Sequence, residues 1–204
     1  MADEQGSGNF ILSVAGGSMT KVVFIRHGEQ NYSFVMNKMY IGHGLDLAQL
    51  TENGIKKSEE ISFDSRLDNA EIIVSSPYTR TMQTAAILSK NKQLDIKVEL
   101  DLHEWIPDLS FRYSTAEDNY RAEKLCNQYK GVCPDDCEIK FEDFENVFNR
   151  AKTALLRYSM YKKIIVVTHS VVIRRFASYP NIPKCGIIEI DFDESTPCTE
   201  FDYC

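Results

Sequence analysis

The sequence predicts an α/β protein: a three-layer α/β/α sandwich with a largely parallel central sheet and an inserted helical lid segment. Two observations carry this. Short β-branched or apolar runs recur at residues 22–25, 72–74, 97–100, 164–167 and 187–190, and stretches with helical periodicity lie between them. Strands that alternate with helices build parallel sheets covered on both faces. Most of the runs are nearly continuous rather than alternating, as strands buried on both sides require.

In chain order, residues 22–25 form the first strand. Thr51 is placed to N-cap a helix that runs through Ile61, its hydroxyl serving the free N–H groups of the first turn. Residues 72–74 are the second strand and 79–88 the next helix. Residues 97–100 alternate apolar and polar, which puts this strand nearer an edge. Phe141, Phe144, Val147, Phe148, Ala151, Leu155 and Leu156 recur at steps of three, four and one, the stripe of a strongly amphipathic helix. Residues 164–167 and 187–190 supply the last two strands. The segment 105–140 breaks the alternation, with a loop, a helix expected around 116–128 and a turn-rich stretch at 131–136. Insertions of this kind tend to carry specificity, and this one is expected to act as a lid. Residues 1–18 end in Gly16-Gly17-Ser18 before Met19. They read as a flexible extension or an expression remnant ahead of a single domain at 19–204.

The composition narrows the function. A chain of 204 residues that is 43% hydrophobic can bury one sizeable core. The net charge of -7 opposes broad nucleic-acid binding, which runs on clustered Lys and Arg. It does not oppose a small anionic substrate, because a few arginines can dominate the field of a pocket. The apolar run at residues 10–15 is too short for a secretory signal and follows Asp3 and Glu4, and no stretch reaches the roughly 18 apolar residues of a membrane span. A cytoplasmic location and no membrane partner are expected. Cys126, Cys133 and Cys137 lack the C-x2-C pairs of a zinc module, so free thiols and no metal are expected.

The reactive residues fall just after the strands. Arg26-His27-Gly28-Glu29 follows the first, Ser75-Ser76-Pro77-Tyr78-Thr79-Arg80 the second, Glu104 the third and Thr168-His169-Ser170 the fourth. The carboxyl ends of parallel strands form the ligand crevice of an open sheet, so two histidines, two arginines and a glutamate converge. Two arginines suit an oxyanion with several oxygens. A neutral imidazole can attack phosphorus, a glutamate can give and then take a proton, and a second, cationic imidazole can steady the transferring oxygens. Loops and motifs of nucleotide, zinc-protease and serine-hydrolase sites are absent from the sequence.

These motifs resemble those of the histidine phosphatase superfamily, in its phosphoglycerate mutase-like branch. R-H-G-E at 26–29, the D-x-x-x-L-T-x-x-G pattern from Asp46 to Gly54, S-S-P-Y-T-R-T-M-Q-T-A at 75–85, L-H-E-W at 102–105 and V-V-T-H-S at 166–170 occur in the expected order. The resemblance implies that His27 becomes phosphohistidine and that Arg26, Arg80 and His169 complete the phosphate pocket. It implies that Glu104 is the acid and base, and that no metal or organic cofactor is needed. Glu99 and Asp101 are the competing carboxylates. Ser33 stands where mutases carry a phosphate-contacting asparagine, and His43 lies in a loop that touches substrate in relatives, so both are candidate substrate contacts. His103 reads as a bystander, and Trp105, Phe111 and Tyr113 as packing residues of the lid.

The favoured reaction is phosphomonoester hydrolysis on a phosphorylated small molecule or phosphoprotein. A cofactor-dependent phosphoglycerate mutase is the alternative, disfavoured by Ser33 and by the lack of the paired-arginine segment after Glu104. A weakly catalytic module that binds a phosphorylated ligand is the second alternative. An oligomer is compatible with the sequence but not indicated by it.

Overall fold

The computed structural model describes residues 19–199, and the expectation for residues 1–18 lies outside them. The strands are β1 (Thr20–Arg26), β2 (Gln30–Asn31), β3 (Gln49–Leu50), β4 (Ile72–Ser75), β5 (Ile96–Val98), β6 (Lys163–Thr168) and β7 (Ile187–Phe192). Five of them form one sheet in the order β5-β4-β6-β1-β7. The first four run parallel, and β7 pairs antiparallel with β1. The central strands are buried on both faces, which is why their sequences are continuous apolar runs.

The pleat divides these strands between two cores. Val23, Ile25, Ile73, Ile165 and Val167 face Leu67, Ala85 and Leu88, on the side of helices α2 (Glu52–Ile61) and α3 (Thr79–Lys92). Val22, Phe24, Val74, Ile164 and Val166 face the opposite layer. There they meet helices α4 (Ala116–Gln128), α5 (Phe144–Leu156) and α6 (Ser170–Arg174), which supply Ala122, Cys126, Val147, Phe148 and Val172. A short helix, α1 (Ser33–Asn37), precedes α2 and turns Val35 inward.

Local capping follows the sequence closely. Thr51 Oγ1 accepts from Gly54 N, as expected for the α2 N-cap, and α4 opens on a Thr115–Asp118 capping box. Three boundaries differ from expectation. β5 stops at Val98, because residues 100–102 form a 3-10 turn that buries Leu102 and leaves Leu100 exposed. α3 continues to Lys92 and is closed by Gln93 in the left-handed region (φ 56°), a C-cap with no glycine to announce it. α5 begins at Phe144, and Phe141 reaches the core from the segment before it.

Segment 105–140 carries α4, whose Ala122 and Cys126 are buried in the same core as Trp105 and Phe141. Phe111 and Tyr113 pack with Val35, Leu45 and Ala48 in a smaller cluster. No helix of the described residues is long and apolar enough to cross a membrane.

One helical glycine is held by a neighbour rather than by a turn. A Cβ on Gly54 would collide with the Glu29 carbonyl oxygen and lie 2.9 Å from Glu29 N. Replacing an interior helical glycine with alanine ordinarily stabilises by about 0.5–1 kcal/mol. Here Gly54→Ala is expected to destabilise by about 1–3 kcal/mol through the forced backbone shift, read as a lowered thermal midpoint. A raised midpoint would refute this account of Gly54.

Candidate active site

Four strand ends and one strand beginning meet at a single cavity. It has a volume of about 400 Å³, and its lining includes Arg26, His27, Asp46, Tyr78, Arg80, Glu104, Trp105, Arg174 and Lys184. The main chain beneath it is stitched to the sheet: His27 N donates to Thr168 O at 3.0 Å, Ser76 N to Val167 O at 3.0 Å, and Arg26 N to Gly186 O at 3.0 Å.

His27 is nearly fully buried. Its Nδ1 lies 2.7 Å from the Gly28 carbonyl oxygen. A carbonyl only accepts, so Nδ1 carries the proton and Nε2 holds the lone pair. Arg80 Nε donates to that Nε2 at 3.3 Å. Burial, then the charges of Arg80 and Lys184, hold the imidazole pKa well below its ordinary value, so the ring is neutral at neutral pH.

Arg80, 4% exposed, sits in the first turn of α3 and spreads its guanidinium over three partners. Besides His27, Nη1 reaches Asp46 Oδ1 at 3.1 Å and Nη2 reaches His169 Nδ1 at 3.4 Å. Its guanidinium also lies 4.7 Å from the centre of the Tyr78 ring. His169 is fully buried and accepts from Arg80 on Nδ1, which leaves Nε2–H to donate to Ser76 Oγ at 2.8 Å. Burial and Arg80 push its pKa well down as well. The cationic His169 expected from sequence is therefore replaced by a neutral ring, because a buried imidazole beside a guanidinium does not keep a second proton.

Glu104 lines the same cavity and is partly buried. Burial raises its carboxyl pKa above the ordinary value, against the pull of the Trp105 N–H and of Arg80 and Arg26. Its backbone is fixed from behind. Arg150 on α5 donates to the carbonyls of Asp101 at 2.6 Å, His103 at 2.8 Å and Glu104 at 3.3 Å, and pairs with the buried Glu142 through Nε at 2.7 Å. The two competing carboxylates are engaged elsewhere: Glu99 takes Tyr158 and Arg157, and Asp101 takes Arg157.

Three sequence candidates lie outside the cavity lining: His169, buried behind Arg80, and Ser33 and His43. Ser33 is exposed at the start of α1 and its backbone N–H donates to Asn31 Oδ1, while the preceding Tyr32 lines the cavity instead. His43 is half exposed, bonded to Asp46 Oδ2 at 3.1 Å and set against the Phe111 ring at 4.6 Å. It borders a second, apolar hollow of about 370 Å³ that shares Asp46 and Tyr78 with the first. His43 thus touches the site through Asp46, which in turn holds Arg80. His103 donates to the Glu104 carbonyl oxygen and lies in that second hollow. Asp46, Arg150, Arg174 and Lys184 were not singled out as site residues by sequence. Asp46 was visible within its motif, and the Asn181-Ile182-Pro183-Lys184-Cys185-Gly186 turn before the last strand was the available sign for Lys184. Among the described residues, no three His, Cys, Asp or Glu side chains are grouped so that they could hold a metal ion.

Residues 22–194 match the family model of the histidine phosphatase superfamily (branch 1). The chain belongs to this superfamily. It is 24% identical over 187 residues to Phosphoserine phosphatase 1 of Hydrogenobacter thermophilus, covering 86% of this chain and 80% of that one. Among solved structures it is similar to Bacillus stearothermophilus YhfR, with a TM-score of 0.63, 20% identity and coverage of 91% and 98% of the two chains. It is also similar to a mycobacterial glucosyl-3-phosphoglycerate phosphatase, with a TM-score of 0.58, 20% identity and coverage of 76% of each chain. Both share its fold.

The Arg150 support makes a prediction for this superfamily member. Arg150→Met leaves Glu142 buried without its counter-charge, which should cost about 3–5 kcal/mol in denaturant unfolding. Restoring neutrality with Arg150→Met plus Glu142→Leu should recover much of that stability without restoring the Glu104 loop, so turnover stays low. Full turnover in the double variant would remove Arg150 from the positioning of Glu104.

Proposed function

We propose that this protein is a metal-independent phosphomonoesterase that works through a phosphohistidine on His27. The observation that carries the reading is the His27 tautomer: Nδ1–H is committed to the Gly28 carbonyl, so the lone pair is on Nε2. There an incoming phosphorus takes the place of the long contact from Arg80 Nε, in a cavity shared with Glu104. In the first step Nε2 forms a bond to phosphorus as the ester P–O bond breaks, and the Glu104 carboxyl gives its proton to the leaving oxygen. In the second, Glu104 takes a proton from water, whose oxygen bonds to phosphorus as the P–N bond breaks. Phosphate leaves and both groups return to their starting states. Arg26 and Arg80 bind the charged oxygens, which suits a transition state stabilised by fixed cations.

The opposed shifts of the two groups support these roles. His27 must be neutral to attack, and its pKa lies well below the ordinary imidazole value. Glu104 must be protonated to assist, and its pKa is raised above the ordinary carboxylate value. A tuned acid and base of this kind marks catalytic pairs. Small phosphorylated molecules fit the cavity volume of about 400 Å³, and the names of the phosphatase relatives favour such substrates over nucleic acid. We also infer a reducing compartment such as the cytoplasm, in keeping with the free thiols of Cys133, Cys137, Cys185 and Cys198.

His27→Ala should abolish hydrolysis of an aryl phosphate and the phosphoenzyme trapped by alkaline denaturation. Retained hydrolysis would sink the reading. Glu104→Gln should lower kcat about 10²–10⁴-fold on substrates with poor leaving groups, and much less on aryl phosphates. In the wild type, kcat/KM should fall on the alkaline side as Glu104 loses its proton, with a midpoint above the ordinary carboxylate value of about 4.3. Glu104→Gln should erase that limb, and an alkaline limb that survives the substitution would assign it to another group.

A further inference from the structure

The antiparallel strand brings a cation to the site by a different route from the other residues. β7 begins at the rim where the parallel strands end, since Ile187 lies opposite Ile25 of β1. The loop before it is sewn to the catalytic motif: Cys185 N donates to Arg26 O at 3.0 Å, Arg26 N to Gly186 O at 3.0 Å, and Arg26 Nη1 to Ile182 O at 2.5 Å. Pro183 O accepts from Gly186 N at 2.8 Å, closing a β-turn with Cys185 in the left-handed region (φ 62°). A non-glycine residue held there costs of order 1–3 kcal/mol and tends to mark functional loops. Lys184 occupies the preceding corner of that turn and lines the cavity with His27, Arg26 and Arg80.

We propose that Lys184 is a further phosphoryl-binding residue, its ammonium joining Arg26 and Arg80 around the group that His27 takes up. This rests on the phosphoryl-transfer reading of the site. Lys184 and His27 line the same cavity, and the ammonium's charge helps to hold the His27 pKa down. Among the described residues that line the cavity, no carboxylate is bonded to Lys184, and Glu29, which acts on it from outside the lining, is held by Thr51 and Asn53. Asp46 is bonded to Arg80, while burial pushes Glu104 and Glu123 toward their neutral forms. The partner missing from this cluster of cations is an anion, and a dianionic phosphoryl group supplies it.

The groups that bear on Lys184 are Arg26 on β1, Glu29 in the loop after it, Arg80 on α3 and Glu104 in the loop before the lid. His27, Asp46, Tyr78, Glu123 and Arg174 line the same cavity. Burial first, then Arg26 and Arg80, lower the Lys184 pKa to about 7. An arriving dianion reverses that balance, so near neutrality Lys184 takes up a proton as the anion binds. Below that pH the proton is already present. Above it, affinity falls as the proton becomes harder to acquire.

Binding of tungstate, a tetrahedral dianion that does not titrate near neutrality, tests this by calorimetry at pH 7.5 in buffers of different ionisation enthalpy. Wild-type protein should take up a fraction of a proton. Lys184→Arg, with a cation that does not deprotonate, should keep affinity within a few-fold and lose the uptake. Lys184→Met should lose about tenfold to a hundredfold in affinity, the worth of one charge-assisted hydrogen bond, with a thermal midpoint no lower than that of wild type, since it relieves the cost of the buried ammonium. Lys184→Met binding within twofold of wild type, or proton uptake unchanged in Lys184→Arg, would overturn the assignment. The measurement needs no turnover. If His27→Ala hydrolysed aryl phosphates as wild type does while tungstate binding behaved as stated, the catalytic reading alone would fall.

Discussion

Arg80 is an arginine placed where water is nearly excluded, and much of the site is arranged around that fact. A guanidinium taken out of water is costly unless its donors are used. Here they are spread over His27, Asp46 and His169. The same contacts fix the relative positions of two imidazoles that come from opposite ends of the sequence, with ring centres 5.2 Å apart. Burial first, and the neighbouring guanidinium second, hold both rings in their neutral forms.

The second constraint is the wall behind Glu104. Glu104 lies after a 3-10 turn on a segment with little regular structure, and such a segment does not by itself hold a side chain in place. Arg150 compensates by donating to the carbonyls of Asp101, His103 and Glu104 while its own charge is met by Glu142. The amphipathic face of α5 therefore has two tasks. It buries Phe144, Val147 and Phe148 against the sheet, and it carries one charged residue that orders the acid loop.

Much of this was legible in the sequence because the central strands and the motifs depend on local patterns. Continuous apolar runs gave the parallel strands, Thr51 gave the start of α2, and the edge position of the β5 strand followed from its alternation. The convergence of Arg26, His27, Arg80 and Glu104 on one cavity, with His169 buried behind Arg80, follows from parallel strand order. What escaped the sequence was set by contacts distant along the chain. Ser33 was judged by its spacing from His27, whereas the turn of α1 that buries Val35 directs it outward. His169 was expected to be charged because its role was considered without its depth. Lys184 was passed over because residues were sought after strands, and the antiparallel strand presents its residue before.

That reversal separates the construction of the scaffold from its adaptation. The loop from residue 182 to 186 is joined to Arg26 by main-chain donors and acceptors and by one carbonyl that receives the arginine, so the identity of residue 184 does not enter its folding. A single codon change there alters the charge of the site while leaving the sheet, both cores and the nucleophile's hydrogen bonds as they are. The charge that lines this cavity can thus be changed at residue 184 while the main-chain bonds of the loop stay in place.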